Sequence, residues 1–72
     1  MTIDEFMRDI APKMRPGYVA MDEDKAWCWF YDKPILDKKH EIWRGSQLWG
    51  WLSCYEIAPV DDWTQSLRKV SK

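Results

Sequence analysis

Proton transfer, nucleophilic attack and metal binding each need a particular set of side chains, and this chain of 72 residues carries few of them. It has two cysteines, Cys28 and Cys54, and a single histidine, His40. A thiol nucleophile needs a base within hydrogen-bond reach. His40 lies in the charged run Asp37-Lys38-Lys39-His40-Glu41, with no local pattern tying it to either cysteine. Structural zinc asks for four ligands at short spacing, and no Cys-x-x-Cys pair is present. Asp22-Glu23-Asp24 makes an acidic turn without the glycine and later glutamate of a calcium loop. No glycine-rich phosphate loop occurs either. Catalytic residues, bound metal and cofactor are therefore not expected. The lysines beside His40 read as a solvated loop, and the cysteines as free, buried thiols acting as small apolar side chains.

The other distinctive chemistry is aromatic. The chain has six tryptophans, and two stretches space them one residue apart: AWCWFY at 26–31 and LWGWLSCY at 48–55. On a strand, alternate side chains face opposite sides. Trp27, Trp29 and Tyr31 then share one face, with Ala26, Cys28 and Phe30 behind them. Trp49, Trp51 and Tyr55 fall together in the later stretch, opposed by Leu48, Gly50, Leu52 and Cys54. Such residues either pair across strands as core, or stay exposed as a recognition surface, since Trp and Tyr are enriched at binding hot spots. Trp27, Trp29, Tyr31, Trp49, Trp51 and Tyr55 are the candidate binding residues.

The elements that must position them follow from periodicity. Apolar residues at Ile3, Phe6, Met7, Ile10 and Met14 make one helical stripe, Thr2 and Glu5 fit a capping box, and Pro12 stops the helix near Ile10 or Ala11. GYVAM, a DEDK turn and AWCWFY then read as a hairpin, closed by Pro34. Residues 32–41 are expected as a charged loop with a short turn at Ile35 and Leu36. A third strand is predicted at 41–44 with a turn at Gly45 and Ser46, and a fourth at 48–57. In the tail, Asp61 or Asp62 is placed to cap a short helix bearing Trp63, Leu67 and Val70; an extended tail docking Trp63 and Leu67 is the competing reading.

These elements make a single small domain over 1–72 of α+β class: an N-terminal amphipathic helix packed on a three- to four-stranded antiparallel sheet, curling toward an SH3-like barrel. Both faces of both tryptophan strands are apolar, so each side needs a cover. The small-residue face suits close approach of the helix, which would leave the aromatic face partly open.

Charge is balanced, 11 Lys+Arg against 12 Asp+Glu, which disfavours nucleic acid as a partner. The uncharged runs 26–31 and 45–55 fall short of the roughly 20 apolar residues of a spanning helix. The acidic start MTIDEFMRD is unlike a signal peptide, and a cytoplasmic, non-membrane protein is expected. The function expected is a non-enzymatic interaction module whose aromatic sheet face binds a protein partner or a second copy. Carbohydrate or single-stranded nucleic acid stacked on exposed tryptophans is the alternative, with a small Cys/His metal protein behind it.

The run VAMDEDKAWCWFYDKP, then Trp43, then DWTQSL resembles a family of small uncharacterised proteins of phage, prophage and Bacteroides-type origin. The matching positions are Asp22, Asp24, Trp27, Phe30, Lys33, Pro34, Trp43, Asp62, Trp63, Ser66 and Leu67. The resemblance implies a small β-rich fold and a mobile-element origin, and carries no catalytic residue. The family's acidic turn ends in glycine where this chain has Lys25.

Overall fold

The computed structural model describes residues 1–45 and 48–70. Helix α1 covers Ile3–Asp9, and its capping box is complete: the Glu5 backbone N–H donates to Thr2 Oγ1 at 3.1 Å and the Thr2 N–H to Glu5 Oε1 at 3.0 Å. Pro12 follows in a 3₁₀ turn, Ala11–Lys13. Among the described residues six strands follow: β1 Gly17–Met21, β2 Trp27–Phe30, β3 Ile35–Asp37, β4 Ile42–Arg44, β5 Trp49–Trp51 and β6 Arg68–Val70. An antiparallel sheet in the order β5-β2-β1-β6 forms the centre, and β3 and β4 pair as a separate antiparallel hairpin. The α+β arrangement expected from the sequence is thus present, with a helix on a four-stranded sheet and two further strands.

The hairpin is the first departure. Residues expected as loop contain β3, with Leu36 opposite Trp43 and Asp37 opposite Ile42. Only Ile35 to Asp37 are extended, too short a run to show a period in a charged stretch. The expected long fourth strand is likewise cut to β5, after which the chain coils into a 3₁₀ turn, Ser53–Tyr55. Of the proposed turn at Gly45 and Ser46, the latter residue lies outside the described residues.

Register decides which side chains share a face, and here it reverses the expectation. Trp29 pairs with Gly50, so Cys28 faces Trp51 and Phe30 faces Trp49. Directly opposed residues point to the same side. Trp27 and Trp29 therefore lie on one face and Trp49 and Trp51 on the other. Helix α1 packs on the Trp27 side, where Ile3, Phe6, Val19, Met21, Trp27, Leu52 and Val70 form the larger core. The small-residue side, Ala20, Cys28 and Phe30, is covered by Trp43 and Leu36 of the hairpin. Size of side chain did not select the helix face, because the helix and β1 leave room there for the indoles.

The tail combines the two readings of it. Asp62 Oδ1 accepts the Thr64 N–H at 3.0 Å and caps a 3₁₀ turn, Trp63–Gln65, and the chain then extends into β6 against β1. Continuing that register brings Ser66 to Met21, where the Ser66 side chain acts in place of backbone. Its Oγ accepts the Met21 N–H at 2.8 Å and lies 3.1 Å from the Met21 carbonyl and 2.6 Å from the Trp63 carbonyl, either of which can accept its hydroxyl proton. Ser66 is fully buried.

Two stability measurements check these local constraints. Lys25 sits at φ 72°, a left-handed conformation that costs a side-chain-bearing residue roughly 1–2 kcal/mol, part of which glycine returns as unfolded-state entropy. Lys25→Gly should raise the urea midpoint by an amount equivalent to about 0.5–1 kcal/mol. Ser66→Ala leaves the Met21 N–H buried without its acceptor and should cost about 1–3 kcal/mol in the same titration.

Candidate functional site

The six candidate residues do not form one surface. Trp27 is 5% exposed and lies within the helix-side core. Trp29 is half-buried beside it, and neither indole Nε1 finds an acceptor among the described residues. Tyr55 is half-buried too, its ring edge-on to Phe6 with centroids 5.3 Å apart. These three serve the packing of α1. Tyr31, at the end of β2, is 54% exposed, and Trp49 and Trp51 are 47% and 59% exposed on the opposite face.

Trp49 and Trp51 border a groove of about 280 Å³ whose other walls are Asp22, Cys28, Phe30 and the β4 segment at Trp43. The two rings stand edge to face, centroids 5.1 Å apart at 82°. Their setting depends on how the β3–β4 hairpin is fixed over the sheet. Asp22 Oδ1 accepts the Trp43 backbone N–H at 2.7 Å, the Glu23 N–H donates to the Glu41 carbonyl at 3.1 Å, and Trp43 Nε1 donates to the Trp63 carbonyl at 3.1 Å. At the turn of the hairpin Asp37 accepts from Arg44 and binds His40 Nδ1 at 2.9 Å. Those bonds, Arg44 first and His40 second, hold the Asp37 carboxyl well below the usual carboxylate range.

Two titratable side chains, Asp22 and Cys28, border the groove. Burial pushes the Asp22 carboxyl upward, against the opposing pull of the Trp43 hydrogen bond. Burial and then the charges of Asp22 and Asp24 push the Cys28 thiol up to about 12. Both cysteines are free, but only Cys28 is buried; Cys54, expected inside, is exposed because β5 ends before it and the following 3₁₀ turn carries it outward. Among the described residues no three His, Cys, Asp or Glu side chains converge as a metal ion would need, and no helix is long and apolar enough to cross a membrane.

Asp22 and Trp43 were not among the candidate residues, yet they set the groove's depth. The available signal was Trp43 itself: a lone indole on a short strand between charged residues must lie against something. A second concavity, about 490 Å³, opens at the other end of the sheet between Tyr18, Tyr31, Lys33 and Lys69. No family model, curated protein or solved structure matches the chain.

The difference between the thiols is directly measurable. At pH 8 a thiol reagent should modify Cys54 in the folded protein and leave Cys28 untouched until the chain is unfolded. The raised Cys28 value also favours the folded state while the thiol is protonated. That contribution is whole below the ordinary value of 9.0 and is lost as pH climbs toward about 12. A Cys28→Ser variant should therefore show a flatter decline of stability above pH 9 than the parent.

Proposed function

We propose that this protein is a non-enzymatic interaction module that receives an extended polypeptide segment along β5, with an apolar side chain of that segment seated in the groove between Trp49, Trp51 and Trp43. The observation that carries this reading is the exposure of Trp49 and Trp51 on an edge strand, beside a groove whose walls are largely apolar. Buried aromatic anchors in pockets dominate protein interfaces, and exposed sheet edges take added strands. Edge-to-face indoles offer no shared coplanar platform, which supports a peptide over a sugar stacked across both rings. Arg44, the cation on the groove wall, is already engaged by Asp37, which supports a peptide over a phosphate backbone there. A cytoplasmic setting and a mobile-element origin accord with this role.

A displayed library of random peptides, selected on the immobilised protein and counter-screened on the Trp49→Ser/Trp51→Ser double variant, tests the reading. Enriched sequences should alternate apolar residues, bind the variant at least about tenfold more weakly, and shift backbone resonances of residues 49–51 together with those of Asp22 and Cys28. Enrichment that ignores the double variant would overturn the proposal. So would tight, low-salt binding of random DNA oligonucleotides that shifts Tyr18 and Lys69 instead.

A further inference from the structure

The edge of β5 has a definite pattern of backbone groups. The Tyr31 N–H donates to the Leu48 carbonyl at 2.9 Å and the Leu52 N–H to the Trp27 carbonyl at 3.0 Å. In an antiparallel ladder hydrogen-bonded pairs alternate with non-hydrogen-bonded ones. Leu48, Gly50 and Leu52 thus direct their backbone groups toward β2, and Trp49 and Trp51 direct theirs outward. No described strand pairs on that side. Soluble proteins protect such edges with charge, proline or bulges, and residues 48–52, Leu-Trp-Gly-Trp-Leu, contain none of the first two.

That sequence also reads the same in both directions. Run antiparallel to itself about a two-fold axis through Gly50, it sets Trp49 against Trp51 of the other copy and Trp51 against Trp49. All four outward N–H groups and all four outward carbonyls then meet. The four indoles gather on one face, and no charge opposes another. Gly50 supports the same axis. It has no positive φ, and a Cβ built on it would meet nothing within 4 Å, so neither backbone conformation nor packing within the chain calls for glycine. A glycine inside a strand often marks close approach by another backbone, and the two-fold brings the two Gly50 Cα atoms to about 4.5 Å, the shorter antiparallel spacing.

We infer that the occupant of this edge is a second copy of the chain, paired β5 to β5, giving a continuous eight-stranded sheet and joining the two tryptophan grooves into one. The inference rests on the proposed role of β5 as an interaction edge and names its partner.

Sedimentation equilibrium of the full chain, from micromolar to millimolar concentration, should show the mass rise from 8.7 kDa toward twice that value. Trp51→Lys should hold the protein at the monomer mass, with the methyl resonances of Val19 and Met21 unshifted to show an intact core. A mixture of isotope-labelled and unlabelled protein should give an intermolecular contact between the Gly50 Hα protons, a readout independent of any variant. A parent protein that stays monomeric to millimolar concentration, or a dimer without the Gly50 contact, overturns the self-pairing. In either case peptides that bind in a Trp49- and Trp51-dependent way would leave the interaction reading standing, and their absence would remove both.

Discussion

The architecture follows from one constraint: β2 carries large apolar side chains on both faces. Trp27 and Trp29 project one way, Cys28 and Phe30 the other, and burial of any of them contributes only if something covers its side of the sheet. A chain of 72 residues usually manages two layers. This one builds three by placing α1 over the first face and the β3–β4 hairpin over the second. The hairpin is small for the task, and covers Phe30 and Cys28 while leaving Trp49 and Trp51 outside it. The exposed indoles are the remainder of a second core too large for its lid.

Two buried polar side chains keep the layers in place. Among the described residues Asp22 and Ser66 are the buried polar or charged ones, and each satisfies a backbone N–H that belongs to a different segment. Asp22 holds Trp43, fixing the hairpin over the sheet, and Ser66 holds Met21, fixing the tail along its edge. The Trp63 carbonyl joins the two systems, since both Trp43 Nε1 and Ser66 Oγ reach it. Buried polar groups of this kind specify arrangement more than they add stability, because an alternative packing would leave them unpaired. Within the segment Asp-Trp-x-x-Ser-Leu, Asp62, Trp63 and Ser66 thus have structural roles, as cap, carbonyl acceptor and buried hydroxyl.

Local signals in the sequence located α1, with its capping box, and the hairpin of β1 and β2, because each is set by neighbours within a few residues. The face of each tryptophan was not legible in the same way. Alternation within Trp27–Phe30 and within Trp49–Trp51 is correct, and fails at Tyr55, which lies past the end of β5 and packs against Phe6 instead of beside Trp49 and Trp51. The relative phase of the two strands depends on whether Trp29 meets Gly50 or a neighbour, and a slip of one residue exchanges the faces. The separation of Trp27 and Trp29 from Trp49 and Trp51 is a fact of register. Strand β3 was missed because its partner β4, rather than its own composition, makes it extended. In the tail, the cap at Asp62 was legible, whereas the change to β6 after Ser66 comes from the distant edge of β1.

The placement of β6 also governs how the molecule yields to pulling. Gly17, the first residue of β1, pairs with Val70, the last of β6. Tension on a C-terminal extension, as an unfolding motor of a protease would apply, acts across the strands at that pair and opens the ladder one bond at a time, a geometry in which the bonds resist singly. Once Ser66 is drawn away from Met21, the Trp63 carbonyl leaves Trp43, and the lid of the second core loses its outer support. Peeling from the C-terminal side thus removes an edge strand and the hydrogen bonds that tie it to two layers.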